Sequence, residues 1–121
     1  MNLSGKAVKL KIIIGESDTV YQRPLYEAIV FAAKKYKISG VTVVKGIMNY
    51  GANSLFQSIK VFSLAIDLPI IIEMIDRPER LIDFAAIASR LLDKAEAGGL
   101  ITLEEVDVLH YGTTSSFPAS S

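Results

Sequence analysis

The chain has no cysteine and a single histidine, His110, among its 121 residues. The absence of cysteine excludes disulfide scaffolds, thiolate metal sites and cysteine nucleophiles. One histidine cannot form a histidine-based metal cluster, so we expect a structural or surface role for His110. No P-loop, catalytic serine-histidine-aspartate set or paired-carboxylate spacing is evident either. We therefore expect a protein that is not an enzyme and that holds no metal.

An excess of positive charge is also lacking, because thirteen lysines and arginines balance thirteen aspartates and glutamates. This balance removes the long-range positive field typical of a duplex-binding protein, so we expect no nucleic-acid partner. No apolar run approaches the ~20 residues of a membrane span. The N-terminus lacks a basic region followed by an apolar run and a cleavage site. We expect one soluble, cytoplasmic domain.

Hydrophobic periodicity divides the chain into strands and helices. The predicted strands are residues 6–14, 41–44, 58–66, 69–75 and 100–111, the last of them interrupted. The predicted helices are residues 24–37 and a segment that starts at 76–79 and stops before Gly98-Gly99. We interpret the order as β-α-β-β-α-β, a ferredoxin-like α+β fold with two helices on one face of a four-stranded antiparallel sheet. Residues 1–112 form this domain, and we expect residues 113–121, rich in serine and threonine, to be a disordered tail.

Capping residues mark the expected helix ends. Pro24 suits the first helical position, where its missing N–H costs nothing, and Gly40 is a natural stop for the same helix. Asp76 is a good N-cap for the second helix, with Glu79 three residues later as in a capping box.

Three carboxylates allow two interpretations each. Glu16 and Asp18 lie in a turn before the first helix, and we expect them to be caps or turn formers, with contact to a ligand as the alternative. Glu73 interrupts an apolar strand. We expect it to pair with a lysine such as Lys45 or Lys60 or to face solvent, and a raised pKa in an apolar site is the alternative.

The strands carry large apolar residues on both faces, at Ile12-Ile13-Ile14, Val43-Val44 and Ile70-Ile71-Ile72. A sheet with one face in water would instead alternate apolar and polar residues. Each isoleucine left in water forgoes roughly 1.5–3 kcal/mol of burial, and several together form a patch that soluble monomers rarely tolerate. We therefore expect further copies of the chain to cover the helix-free face of the sheet.

A long loop, residues 46–58, follows strand 41–44 and is rich in glycine and asparagine. Hairpin loops commonly have only about 2–5 residues. Glycine and asparagine reach positive φ easily and let a backbone approach a ligand. We expect this loop to receive a small ligand or to contact a partner protein, and an oversized mobile turn without chemistry is the alternative. The residues expected to contact a partner are Tyr50, Gly51, Asn53, Ser54 and Phe56.

Four short motifs belong together: Gly15-Glu16-Ser17-Asp18, Pro24-Leu25-Tyr26-Glu27-Ala28-Ile29, Gly46-Ile47-Met48 with Tyr50-Gly51-Ala52, and Asp67-Leu68-Pro69-Ile70. Their combination, which covers residues 3–112, resembles the PII-like family called domain of unknown function 190. More remotely, the pattern is similar to the PII nitrogen-regulatory proteins and the CutA proteins. The resemblance implies a ferredoxin-like subunit, a homotrimer with its sheets facing inward, and small-molecule sites in clefts between subunits.

The resemblance to PII proteins also implies where an adenine nucleotide would bind. In those proteins it lies between the base of the long loop and a glycine-containing turn of the neighbouring subunit. Here the loop base corresponds to Lys45, Gly46, Ile47, Met48 and Asn49. The glycine turn corresponds to Gly98, Gly99, Leu100, Ile101 and Thr102. Backbone N–H groups beside glycine can hold phosphate oxygens, and apolar walls such as Ile47 and Leu100 can flank a purine.

The residues after the glycine turn depart from the PII pattern. PII proteins carry lysine and arginine there to clamp a triphosphate, whereas this chain continues with Leu103, Glu104 and Glu105. Charge-assisted contacts with phosphate would therefore be mostly missing. We expect AMP or ADP, rather than ATP with magnesium, as an effector and not a cofactor. The alternatives are a CutA-like trimeric metal- or stress-related protein without a nucleotide site and, third, an enzyme that uses the cleft.

Overall fold

The computed structural model describes residues 5–47 and 67–112. The predicted strand 58–66, most of the long loop and the predicted tail lie outside these residues. The strands are β1 Gly5–Gly15, β2 Thr19–Val20, β3 Arg23–Pro24, β4 Val41–Lys45, β5 Pro69–Asp76 and β6 Leu100–Val108. The helices of the described residues are α1 Leu25–Lys35 and α2 Pro78–Ala95. Strands β2 and β3 form a small separate hairpin.

The main sheet has four antiparallel strands in the order β4-β5-β1-β6. With α1 and α2 on one face, this is the ferredoxin-like α+β fold that the sequence predicts. Strand β4 pairs with β5 in antiparallel fashion, with Lys45 opposite Ile70. Strand β6 is continuous rather than interrupted, because it pairs with β1 from Leu100 to Val108.

The core lies between the helices and one face of the sheet. Side chains of a strand alternate between faces, so every second residue of β1 and β5 enters the core. The buried strand residues are Val8, Leu10, Ile12, Ile14, Ile70, Ile72 and Met74. The helices contribute Leu25, Ile29, Ala33, Leu81, Phe84, Ala88 and Leu92. Each fully buried leucine or isoleucine contributes about 1.5–3 kcal/mol, which holds the helices on this face.

Both helices end on a residue other than glycine, contrary to the predicted stops at Gly40 and Gly98. The backbone takes the left-handed conformation at Lys37, with φ of 62°, and at Glu96, with φ of 54°. This conformation costs roughly 1–2 kcal/mol for a residue with a Cβ. Hydrogen bonds that satisfy the last carbonyl groups offset the cost. They run from Ile38 N–H to the Ala33 oxygen over 3.1 Å and from Ala97 N–H to the Leu92 oxygen over 3.0 Å.

Asp76 ends β5 and is not the N-cap of α2, so that prediction is wrong. The N-cap position belongs to Arg77, and Pro78 begins the helix. Asp76 is fully buried. Its Oδ1 accepts a hydrogen bond from the Arg77 N–H over 2.7 Å, and its Oδ2 accepts from the Ser39 N–H over 3.0 Å. Both oxygens of the carboxylate therefore accept hydrogen bonds at the junction between β5 and α2.

Arg80 joins this carboxylate to the end of α1. Its Nε donates to Asp76 Oδ2 over 3.2 Å. Its Nη2 donates to the carbonyl oxygens of Tyr36 and Lys37 over 2.6 and 3.0 Å. Because the last carbonyls of a helix have no partner within the helix, Arg80 satisfies groups that would otherwise need water. The pair therefore ties the start of α2 to the end of α1.

We predict that Arg80→Met lowers the free energy of unfolding by about 2–3 kcal/mol, because Asp76 loses its cation and α1 loses two donors. The partial exposure of Arg80 keeps the loss below that of a fully buried pair. Chemical denaturation of the variant measures the change. The control is Arg77→Met, whose exposed side chain should matter by less than about 0.5 kcal/mol. Equal losses in the two variants would contradict this role of Arg80.

Candidate functional site

One end of the sheet holds both halves of the predicted site. Strand β4 ends there at Lys45 beside β5, and β6 begins there at Leu100, opposite Ile13 of β1. However, β4 and β6 are the outer strands of the described sheet. Three strand spacings separate them, which amounts to about 14 Å at ~4.8 Å each. The structure therefore brings the loop base and the glycine turn to the same end of the sheet but not into contact.

The described part of the loop base is held close to the start of β5. The Gly46 N–H donates to the Pro69 carbonyl oxygen over 2.8 Å. A Cβ at position 46 would lie 2.7 Å from the Pro69 Cγ, so a larger residue would force the two strands apart. Ile47 is 91% exposed. The remaining predicted residues of the loop base, Met48 and Asn49, and the predicted partner contacts at 50–56 lie outside the described residues.

A turn of four residues, Gly15–Asp18, contacts the two residues directly before β5; we call it the acidic turn. The Glu16 N–H donates to the Leu68 carbonyl oxygen over 2.8 Å. The Ser17 N–H donates to Asp67 Oδ1 over 2.7 Å, and the Gly15 N–H donates to Asp18 Oδ2 over 2.8 Å. Asp18 is a turn former, as predicted. The role of Asp67 was missed, although its position directly before Leu68-Pro69 and β5 was the available signal.

The acidic turn also reaches the loop base. The Lys45 Nζ lies 2.9 Å from the Glu16 Oε2, a hydrogen-bonded ion pair. Both side chains remain partly exposed, at 52% for Lys45 and 40% for Glu16. Through Glu16 and Ser17 the acidic turn thus links Lys45 at the end of β4 to residues 67–68 before β5. An exposed pair of this kind contributes only about 0–1 kcal/mol, so it can exchange for another partner at small cost.

The pKa of Asp18 lies above its ordinary value of 3.8. Partial burial raises it, the hydrogen bond from the Gly15 N–H acts in the opposite direction, and the charge of Asp67 raises it further. The native state therefore binds this proton more tightly than the unfolded chain does. The stability that Asp18 contributes is fully present below its ordinary pKa and is lost as the pH rises through the folded value.

We predict that Asp67→Asn lowers the pKa of Asp18, because it removes the neighbouring negative charge. The asparagine amide oxygen can still accept the Ser17 N–H, so the turn should keep its shape. A carboxyl-carbon NMR titration of both proteins gives the pKa directly. Asp107→Asn, at the other end of the sheet, is the control and should leave Asp18 unchanged. An Asp18 that titrates identically in all three proteins would contradict the proposed repulsion.

The glycine turn leads into β6, and the space around Gly99 is tightly packed. A Cβ at Gly99 would lie 2.8 Å from the Ile13 carbonyl oxygen and 3.1 Å from the Leu92 Cδ2, so there is no space for a side chain. Leu100 and Thr102 then lie on the helix-free face. Ile101, between them, lies on the opposite face and packs against the core. Of these three predicted site residues, Leu100 and Thr102 are therefore placed on the surface that further copies would cover.

A continuous apolar row crosses the helix-free face at this end of the sheet; we call it the apolar row. Its members occupy matched register positions on β4, β5, β1 and β6, and they are Val44, Ile71, Ile13 and Leu100. Val44 is 48% exposed and Leu100 is 54% exposed. The prediction that the sheet carries large apolar residues on both faces is therefore confirmed.

The next row toward the sheet centre is polar, so the helix-free face is not uniformly apolar. Glu73 lies directly opposite Lys11 in the register of β1 and β5. Its Oε2 is 3.8 Å from the Lys11 Nζ and 4.0 Å from the Lys9 Nζ. Glu73 therefore pairs with lysine, as predicted, but its described partners lie across the paired strands. Lys45 instead contacts Glu16, and Lys60 lies outside the described residues.

In residues 5–47 and 67–112, no three acidic or histidine side chains converge in a way that could hold a metal ion. Within the same ranges, neither helix combines the length and apolar composition that a membrane crossing requires. The chemistry of the described site therefore consists of backbone groups near glycine, exposed apolar side chains and the ion pair between Lys45 and Glu16.

The sheet order and the two helices form the ferredoxin-like fold found in PII-like proteins of known structure. CPII from Thiomonas intermedia K12, in a structure bound to ADP, AMP and acetate, superposes with a TM-score of 0.62. The match has 14% sequence identity and covers 93% of this chain and 95% of that one. The apo form of CPII superposes with a TM-score of 0.52 and 14% identity, over 84% of this chain and 91% of that one. At this identity the likeness concerns the fold.

Sequence comparison gives the family. Residues 7–108 match the family DUF190, described as "Uncharacterized ACR", and the chain belongs to it. The UPF0166 protein of Aquifex aeolicus is 32% identical over 103 residues, which cover 84% of this chain and 91% of that protein. The UPF0166 protein of Methanocaldococcus jannaschii is 33% identical over 103 residues, which cover 85% of this chain and 92% of its own. The family resemblance of the four motifs is confirmed.

Proposed function

We propose that the chain is a PII-like regulatory protein that binds a small adenine nucleotide in a cleft between copies of itself. The observation that supports this most directly is the separation of the two half-sites. The loop base and the glycine turn lie on opposite outer strands at one end of the sheet, about 14 Å apart at ~4.8 Å per strand spacing. A second copy that places its β6 beside β4 of the first would complete the pocket.

The apolar row supports assembly through the helix-free face. Val44, Ile71, Ile13 and Leu100 span all four strands, and two of them are about half exposed. Covering such a row on each copy gains roughly 25 cal/mol for every Å² of apolar surface buried. We propose the homotrimer implied by the PII resemblance. In it the apolar rows meet in the interior, next to the clefts.

The ligand class follows from the solved relatives and from the local charge. CPII has this fold and has been solved with ADP and with AMP bound, which supports an adenine nucleotide as the ligand here. The loop base has one basic residue, Lys45, and it is already paired with Glu16. Leu100 and Ile101 stand where a triphosphate clamp would need cations. These features favour AMP or ADP over ATP.

We propose that the nucleotide acts as an effector and that no substrate is turned over. Binding at the loop base would order the long loop, and the loop would then contact a partner protein through residues 50–56. Ordering of a segment by a ligand is an established switching device. The link is physical, since the loop base is joined to β5 by the Gly46 hydrogen bond and to the acidic turn by Lys45.

We predict that calorimetric titration shows binding of AMP and ADP and weaker binding of ATP, with cyclic AMP as a further comparison. Ile47→Ser should weaken AMP binding by about tenfold, because it removes an apolar wall beside the base. The control Ile82→Ser alters an exposed isoleucine of α2 and should leave the affinity unchanged. Failure of all four nucleotides to bind would overturn the proposal.

Gly99→Val is not a clean test of the site. Its Cβ would meet the Ile13 carbonyl oxygen and the Leu92 side chain, so loss of binding could come from a damaged fold. Ile47 avoids this difficulty because its side chain is almost fully exposed. Light scattering of the Ile47→Ser variant should show the same mass as the unmodified protein, which separates loss of the ligand from loss of assembly.

A further inference from the structure

The ion pair between Lys45 and Glu16 occupies the cation that a phosphate at the loop base would contact. Lys45 is the one basic residue of the loop base, residues 45–49. Its Nζ lies 2.9 Å from the Glu16 Oε2, and both side chains are partly exposed. A phosphate that approaches Lys45 must therefore share it with a carboxylate or displace that carboxylate.

Glu16 is held in position by its own backbone. Its N–H donates to the Leu68 carbonyl oxygen over 2.8 Å. The flanking residues are also anchored, since the N–H groups of Gly15 and Ser17 donate to the carboxylates of Asp18 and Asp67. The Glu16 side chain can rotate away from Lys45, but its backbone cannot leave the neighbourhood of the loop base.

The surroundings of Glu16 are negatively charged. The carboxylates of Asp18 and Asp67 both accept hydrogen bonds from the residues that flank Glu16. The negative charge of Asp67 disfavours ionisation of Asp18. No second lysine or arginine of the loop base offsets these groups. Among the described residues, a phosphate that approaches Lys45 therefore also approaches the carboxylates of the acidic turn and its contact Asp67, and each additional phosphate charge increases the repulsion.

We propose that Glu16 is a specificity-determining residue that selects nucleotides with low phosphate charge by occupying Lys45. This inference rests on the proposed function. Glu16 acts through Lys45 and through its own charge, so its effect grows from AMP to ADP to ATP. A residue that merely supported the fold would affect the three nucleotides equally.

The test compares Glu16→Gln with the unmodified protein by calorimetric titration with AMP, ADP and ATP. Removing the charge should improve ADP binding by about threefold to tenfold, improve ATP binding more, and change AMP binding least. The control is Glu79→Gln at the start of α2, at the other end of the sheet. It changes the net charge equally and should shift every affinity by less than about twofold.

Salt dependence separates selection by charge from a structural role. In about 1 M salt the Debye length falls to ~3 Å, so the difference among the three nucleotides should shrink in the unmodified protein and in the Glu16→Gln variant. A uniform change for all three nucleotides, or a loss of affinity in the variant, would overturn this inference alone. If no nucleotide binds either protein, the proposed function fails and the inference fails with it.

Discussion

The antiparallel register between β1 and β5 is the constraint on which both faces of this protein depend. Ile12 lies opposite Ile72 and both enter the core, whereas the next pair, Ile13 and Ile71, reaches the helix-free face. A shift of one residue would exchange these sets, expose the core residues and place Lys9 and Lys11 under the helices. The same register aligns Glu73 with Lys11 and extends the apolar row from β4 to β6.

This register also explains why the candidate site is divided. It brings the ends of β4 and β1 and the starts of β5 and β6 to one edge, and the strand order keeps β4 and β6 apart. At this edge the acidic turn contacts Lys45 at the end of β4 and the residues before β5. One chain thus has a loop base whose lysine is paired with Glu16 beside β4, and a tightly packed glycine turn beside β6.

Much of the fold could be predicted from the sequence, because alternation along β1 and helical spacing along α2 reflect burial directly. The helix ends could not, since the left-handed backbone at Lys37 and Glu96 depends on hydrogen bonds that exist only after the chain has turned. Aspartate is a typical N-cap residue, but Asp76 is buried and bonded to Ser39 and Arg80 through contacts that form only in the folded protein.

The candidate site was predicted less completely than the fold. Gly46 and Gly99 could be identified because close backbone packing requires residues without a Cβ. The pairing of Lys45 with Glu16 joins residues distant in sequence, so no local pattern indicates it. The role of Asp67 is similar, since its partner Ser17 is fifty residues away. Contacts of this kind depend on strand order, which sequence periodicity does not supply.

If two copies of the chain build each nucleotide site, a mixture of two defective variants should regain binding. Ile47→Ser damages the loop base, and Thr102→Val damages the half-site that follows the glycine turn without altering the apolar row, so each protein alone should bind AMP weakly. If the two are unfolded, mixed equally and refolded, about a quarter of the clefts in a closed ring should combine two intact halves. Titration of the mixture should then recover high-affinity AMP sites in about that proportion. A mixture that binds no better than its components would contradict a site built by two copies.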